Sequence, residues 1–128
     1  MQIQPILLVA AGGAIGAVCR YLTTSAITSF FGKEFPYGTI TVNIIGSFLI
    51  GLLTSVLSQN YLEPQLKLLL ITGLLGGFTT FSTFSHDTVN LIHASDYIKL
   101  FLYIAGSIVL GVGAAVTGLL IGEAIKAH

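Results

Sequence analysis

GGFTTFSTFSHD, Gly76 to Asp87, sits largely in a stretch without charge that runs from Leu68 to His86. Glycine disfavours a helix interior, and threonine hydroxyls can re-satisfy backbone groups that a break sets free. The stretch therefore reads as a membrane helix interrupted near its middle. Such backbone is tolerated in a bilayer only where it is buried in protein or lines a cavity. Carbonyls released at the break can coordinate a small cation, as broken helices do in transporters. Beyond the break, Phe81 and Phe84 share a face at i,i+3, with Ser82, Thr83 and Ser85 interleaved.

The rest of the chain supports a membrane setting. Of its 128 residues, 54% are apolar and 8% charged, against about 25% charged in a soluble domain. Apart from Arg20, no charge falls between Met1 and Phe31, and none between Phe35 and Leu62 or between Leu100 and Gly122. Each run approaches or exceeds the ~20 residues that span a bilayer as helix. The expected fold is an all-α, single four-helix transmembrane domain with approximate spans 3–31, 37–59, 66–93 and 98–125, the third broken near its middle. The connectors Gly32-Lys33-Glu34-Phe35-Pro36, Gln59-Asn60-Tyr61-Leu62-Glu63-Pro64 and Ser95-Asp96-Tyr97 are short, which makes neighbouring helices antiparallel. MQIQPILLVAAGG lacks the basic start of a secretory signal and reads as the beginning of a mature span.

Five basic and five acidic side chains cancel, so there is no basic field for nucleic acid. The bases of the first and third connectors, Lys33 and Lys99, equal in number those of the second connector and C-terminus, Lys67 and Lys126. Without a Lys/Arg bias to set orientation, the chain can insert both ways, and two inverted copies can pair as an antiparallel dimer. Gly12 and Gly16, Ser47 and Gly51, Gly111 and Ala115, and Gly118 and Gly122 stand at i,i+4 and read as close-packing faces. Cys19, the single cysteine, reads as a small core residue.

Polar groups in a membrane interior are costly and mark candidate sites. Arg20 either snorkels to the interface or binds an anion or carbonyls at a vestibule mouth. Asn43, with Thr39 and Ser47 one turn to either side, forms interhelical hydrogen bonds or an amide donor row along a path. Tyr103, Ser107 and Gly111 repeat that stripe in the fourth span, and two such stripes favour a path. His86, Asp87 and His93 read as a water-facing trio at a helix end, since Asp87 points away from the histidine face and a third strong metal ligand is missing. No nucleophile-base set and no nucleotide-binding loop can be assembled, so the chain does not read as an enzyme. A phenylalanine edge is electropositive. Ring edges, hydroxyls and an amide, without a fixed positive charge, suit a path for a small, strongly hydrated anion.

GGAIGAVCRY in span one, GTITVNIIGSF in span two, GLLGGFTTFSTFSHD in span three and the Tyr103 to Gly111 stripe occur in an order and spacing that resemble the small bacterial fluoride channels of the Fluc (CrcB) family. The resemblance covers essentially the whole chain. It implies a dual-topology homodimer in the bacterial inner membrane, with two antiparallel pores through which cytoplasmic fluoride leaves the cell. Phe81 and Phe84 would then be ring-edge ligands of fluoride, and Asn43 an amide donor to the pathway and the phenylalanine region. Ser82, Thr83, Tyr103 and Ser107 would line the polar track, while Arg20, Thr39 and Asp87 would support the vestibule. Gly76 and Thr79 would offer backbone carbonyls to a structural Na+ on the dimer axis. The family commonly has Glu where Asp87 stands, and Gly111 occupies a position where a serine can extend the stripe, so Gly111 takes no ligand role.

The mechanism this implies is passive. Neutral hydrogen fluoride crosses the bilayer and dissociates in the less acidic cytoplasm, and an interior-negative potential then drives the anion out at about 2.3 kcal/mol per charge per 100 mV. A small proton-coupled four-helix antiporter is the alternative; it needs an embedded acid, for which Asp87 is the sole candidate.

Overall fold

The computed structural model describes residues 2–59 and 63–127; the centre of the second connector, Asn60 to Leu62, lies outside the described residues. All regular structure within them is helical: α1 (Ile3–Phe31), α2 (Tyr37–Val56) with a 3-10 turn at Leu57–Gln59, α3 (Glu63–Leu66), a π-helix (Lys67–Leu75), α4 (Gly76–Phe78), α5 (Phe81–His93) and α6 (Tyr97–Lys126). Four stretches are long and apolar enough to cross a bilayer, namely Ile3–Phe31, Tyr37–Val56, Pro64–His93 and Tyr97–Lys126. At ~1.5 Å per residue even a helix of ~20 residues matches the ~30 Å hydrocarbon core.

Local chemistry sets the ends. Gly32 closes α1 with φ 84°, in the left-handed region that glycine enters freely, and its N–H donates to Thr28 O at 2.8 Å. Asp96 caps α6 by accepting from Lys99 N at 3.2 Å, and the same two side chains pair at 3.4 Å. Thr80 caps α5 by accepting from Thr83 N at 3.1 Å.

Two pairings organise the bundle: α1 lies against the π-helix and α4, and α2 lies along α6. Small residues allow both. A methyl group on Gly12 would meet the carbonyl oxygen of Leu69, and one on Gly16 that of Leu74. On the other pair, Gly51 faces the carbonyl of Ala115 and Gly118 that of Phe48. Lipid tails are as apolar as leucine, so helices in a bilayer gain little from burying apolar surface and associate through backbone contact of this kind. Val42, Leu75 and Tyr103 are fully buried at the centre, while Phe30, Phe31, Ile98 and Phe101 point outward. Cys19 also faces outward, so the core position expected for it is corrected: the buried positions of α1 are Gly12 and Gly16, where it meets its neighbour backbone to backbone, and the thiol about one turn beyond Gly16 is left uncovered.

Candidate functional site

Helical structure ends at Phe78 and resumes at Phe81. Thr79 (φ −89°, ψ 160°) and Thr80 (φ −152°, ψ 116°) between them are extended. Asn43 reaches across from α2 and pairs with both backbone groups of Thr80, accepting from Thr80 N at 2.8 Å and donating from Nδ2 to Thr80 O at 3.1 Å. In a continuous helix Thr80 N would have served the Gly76 carbonyl, and Thr83 N, which bonds to Thr80 Oγ1, would have served that of Thr79. Both carbonyls are thereby released from their helical donors. Arg20 stays inside the bundle, its Nε donating to Gly77 O at 2.9 Å. Of its two expected placements, binding to carbonyl oxygen is the one seen.

Thr80 is the node that sequence reading passed over. Its hydroxyl caps α5 and also lies 3.3 Å from Ser82 Oγ. A threonine just before an amphipathic stretch is an N-cap signal, and the adjacent Thr79 obscured it. Thr79 acts differently, its hydroxyl donating back to Leu75 O at 2.9 Å.

A second cluster lies one to two turns along α5. Asp87 Oδ2 accepts from Thr39 Oγ1 at 2.8 Å and from Tyr103 OH at 3.0 Å, tying α5 to α2 and α6. The water-facing trio is therefore corrected: His86 and His93 are exposed, but Asp87 turns inward, because it leaves α5 on the flank that meets Thr39 and Tyr103. Rings connect the two clusters. Phe81 and Phe84 have centroids 5.7 Å apart, Phe84 and Tyr103 5.1 Å, and Phe35 from the first connector stands edge-on to Tyr103 at 5.7 Å. Phe35, read from sequence as connector only, closes this row.

Beside the extended residues runs an open groove of about 570 Å³. Asn43, Ser107, Gly76, Thr79, Phe81 and Phe84, all expected at the site, line it. So do Ser47, Thr72 and Thr80, and no residue of its wall is charged. Ser82, Thr83, Thr39, Tyr103, Asp87 and Arg20 lie off the wall. Ser107 Oγ is shielded from solvent and has no hydrogen-bond partner among the described residues. Phe81 is 79% exposed. Among the described residues no three His, Cys, Asp or Glu side chains gather to hold a metal.

Four apolar spans, with an uncharged and largely apolar groove into which hydroxyls, one amide and two phenylalanines are gathered, define a multi-pass membrane protein. The family model described as CrcB-like protein, Camphor Resistance (CrcB), matches residues 7–119. A protein of Magnetococcus marinus named fluoride-specific ion channel FluC is 46% identical over 121 residues, covering 94% of this chain and 98% of that one. One of the same name from Flavobacterium psychrophilum matches to the same extent. Another, from Shewanella woodyi, is 50% identical over 100 residues, 78% of this chain and 81% of its own. The chain belongs to the CrcB family.

Proposed function

We propose that the protein is a fluoride-selective channel of the bacterial inner membrane, through which cytoplasmic fluoride leaves down its electrochemical gradient. The observation that carries this reading is the groove where Phe81, Phe84, Asn43 and Ser107 meet beside the extended residues. Fluoride gives up hydration only where other donors replace water. Ser107 supplies a hydroxyl without a partner among the described residues, and Asn43 retains the second hydrogen of its amide nitrogen. The electropositive edges of Phe81 and Phe84 add attraction without a fixed charge that would hold the ion. Hydrogen bonding also favours fluoride over the larger, weaker acceptor chloride.

The extended pair Thr79 and Thr80 acts in this reading as a break in the third membrane helix, which keeps irregular backbone in contact with the groove. A second, inverted copy completes the pore by covering the open side of the groove and the outward ring of Phe81. The released carbonyls of Gly76 and Thr79 are hard oxygen donors that fit Na+, and no Cys or His lines the groove beside them. Bound there, Na+ would supply positive charge that ties the two copies together. Ser82, Thr83 and Tyr103 belong to the approaches of the track, and Thr39 and Asp87 brace its vestibule. The flow is passive and not enzymatic, and the relatives' names support a channel, not a proton-coupled antiporter.

Producing the chain in a bacterium that lacks its own fluoride exit route tests this. Growth restored in millimolar fluoride by the wild-type chain, and not by Phe81→Ile, is expected. Equal sensitivity with and without the chain, at matched membrane levels, would contradict it.

A further inference from the structure

Arg20 is the chain's only arginine and the one charge between Met1 and Phe31. It follows Gly12 and Gly16 at the same i,i+4 spacing, on one face of α1. Those glycines bring α1 into backbone contact with the third span: a Cβ on Gly16 would lie 3.0 Å from Phe78 N, and one on Gly77 would lie 2.6 Å from Gly13 O. One turn further on, the arginine arrives where helical structure stops, and its Nε donates to Gly77 O at 2.9 Å. In an unbroken helix that carbonyl would have accepted from Phe81 N. The carbonyl end of a helix carries partial negative charge, and a basic side chain that hydrogen-bonds there stabilises it.

We infer that Arg20 is a positioning residue for ion passage: it caps, from a neighbouring helix, the carbonyl end of the segment that stops at Phe78. Resting on the reading of the groove as a fluoride path, this assigns the bend two grips. Arg20 holds Gly77 from α1, and Asn43 holds Thr80 from α2. Thr79, whose surface lines the groove, lies between the two held residues, and Gly76 adjoins the first. Arg20 itself lies off the groove wall, and among the described residues its partner is a carbonyl and not a carboxylate. Its charge is directed at the backbone, so it steadies the path without trapping the anion. Lysine is no substitute, because a flexible point charge lacks the planar guanidinium fork that presents Nε–H to this oxygen.

A single arginine makes the test direct. Wild-type protein carrying 15N-arginine, in lipid nanodiscs, gives one Nε–H signal; its exchange with water should be slower than that of a free arginine side chain by about tenfold or more. Exchange at the free rate overturns the inference. In liposomes, Arg20→Met that elutes like wild type should lower the maximal fluoride flux about tenfold, leave the half-saturating fluoride concentration unchanged, and not be rescued by Arg20→Lys. Wild-type maximal flux in Arg20→Met, or full recovery in Arg20→Lys, overturns it. Should Arg20→Met not fold, the exchange rate decides. Absent fluoride flux from the wild type would remove the channel reading, while the exchange measurement would still decide whether Arg20 caps Gly77.

Discussion

Asn43 commits both ends of its amide to the backbone of one residue, Thr80, and keeps one N–H for the groove. Asn43→Leu keeps the size but leaves the part-buried N–H and carbonyl of Thr80 unpaired, at up to about 1–3 kcal/mol each. The expected outcome is a lower unfolding temperature together with fluoride flux reduced about tenfold or more, measured on the same preparation; unchanged stability would contradict the pairing. Asp87 invites a graded comparison. Asp87→Ala strands the hydroxyls of Thr39 and Tyr103, whereas Asp87→Asn keeps an acceptor oxygen for them. Thermal unfolding should therefore rank wild type, Asp87→Asn and Asp87→Ala in falling order. At this scale the sequence was legible where chemistry is unusual for lipid: Asn43, Ser107 and the phenylalanine pair stand out against an apolar background. Thr80 and the inward turn of Asp87 did not, because their partners lie 37 and 48 residues away and no local spacing encodes them.

Among the elements, glycines divide into those that carry backbone contacts and those that do not. A side chain at Gly16 or Gly51 meets a carbonyl oxygen of the opposing helix, which cannot rotate away. Gly51→Val should cost at least about 1–3 kcal/mol, seen as loss of the monodisperse species in detergent. Gly113 has nothing within 4 Å of a Cβ, so Gly113→Ala should keep the protein intact and stabilise it by about 0.5–1 kcal/mol. Equal tolerance at both positions would contradict the packing. Charge-free runs made the four apolar spans readable, and i,i+4 small residues made the α1 and α2–α6 contact faces readable. The π-helix at Lys67–Leu75 was not, since KLLLITGLL has the composition of an ordinary apolar helix. Its widened turns lie against α1, where Gly73 and Gly12 meet, a contact between residues far apart in sequence.

For the whole molecule, the groove is open and Phe81, one of its lining residues, stands 79% exposed, while the basic residues of the connectors favour neither membrane face. A C-terminal tag should therefore be reachable by impermeant reagent from both sides of the membrane in roughly equal measure; labelling from one side alone would contradict the inverted pair. The central claim concerns the ion, and fluoride release from liposomes tests it most directly. Vesicles loaded with potassium fluoride, their potential set by a potassium ionophore, are followed with a fluoride electrode beside a matched chloride preparation. Rapid fluoride release from wild type, little chloride release, and loss of the fluoride signal in Phe81→Ile and Phe84→Ile are the predicted results. Fluoride retained by well-folded wild-type protein, or chloride released as fast as fluoride, would contradict the account.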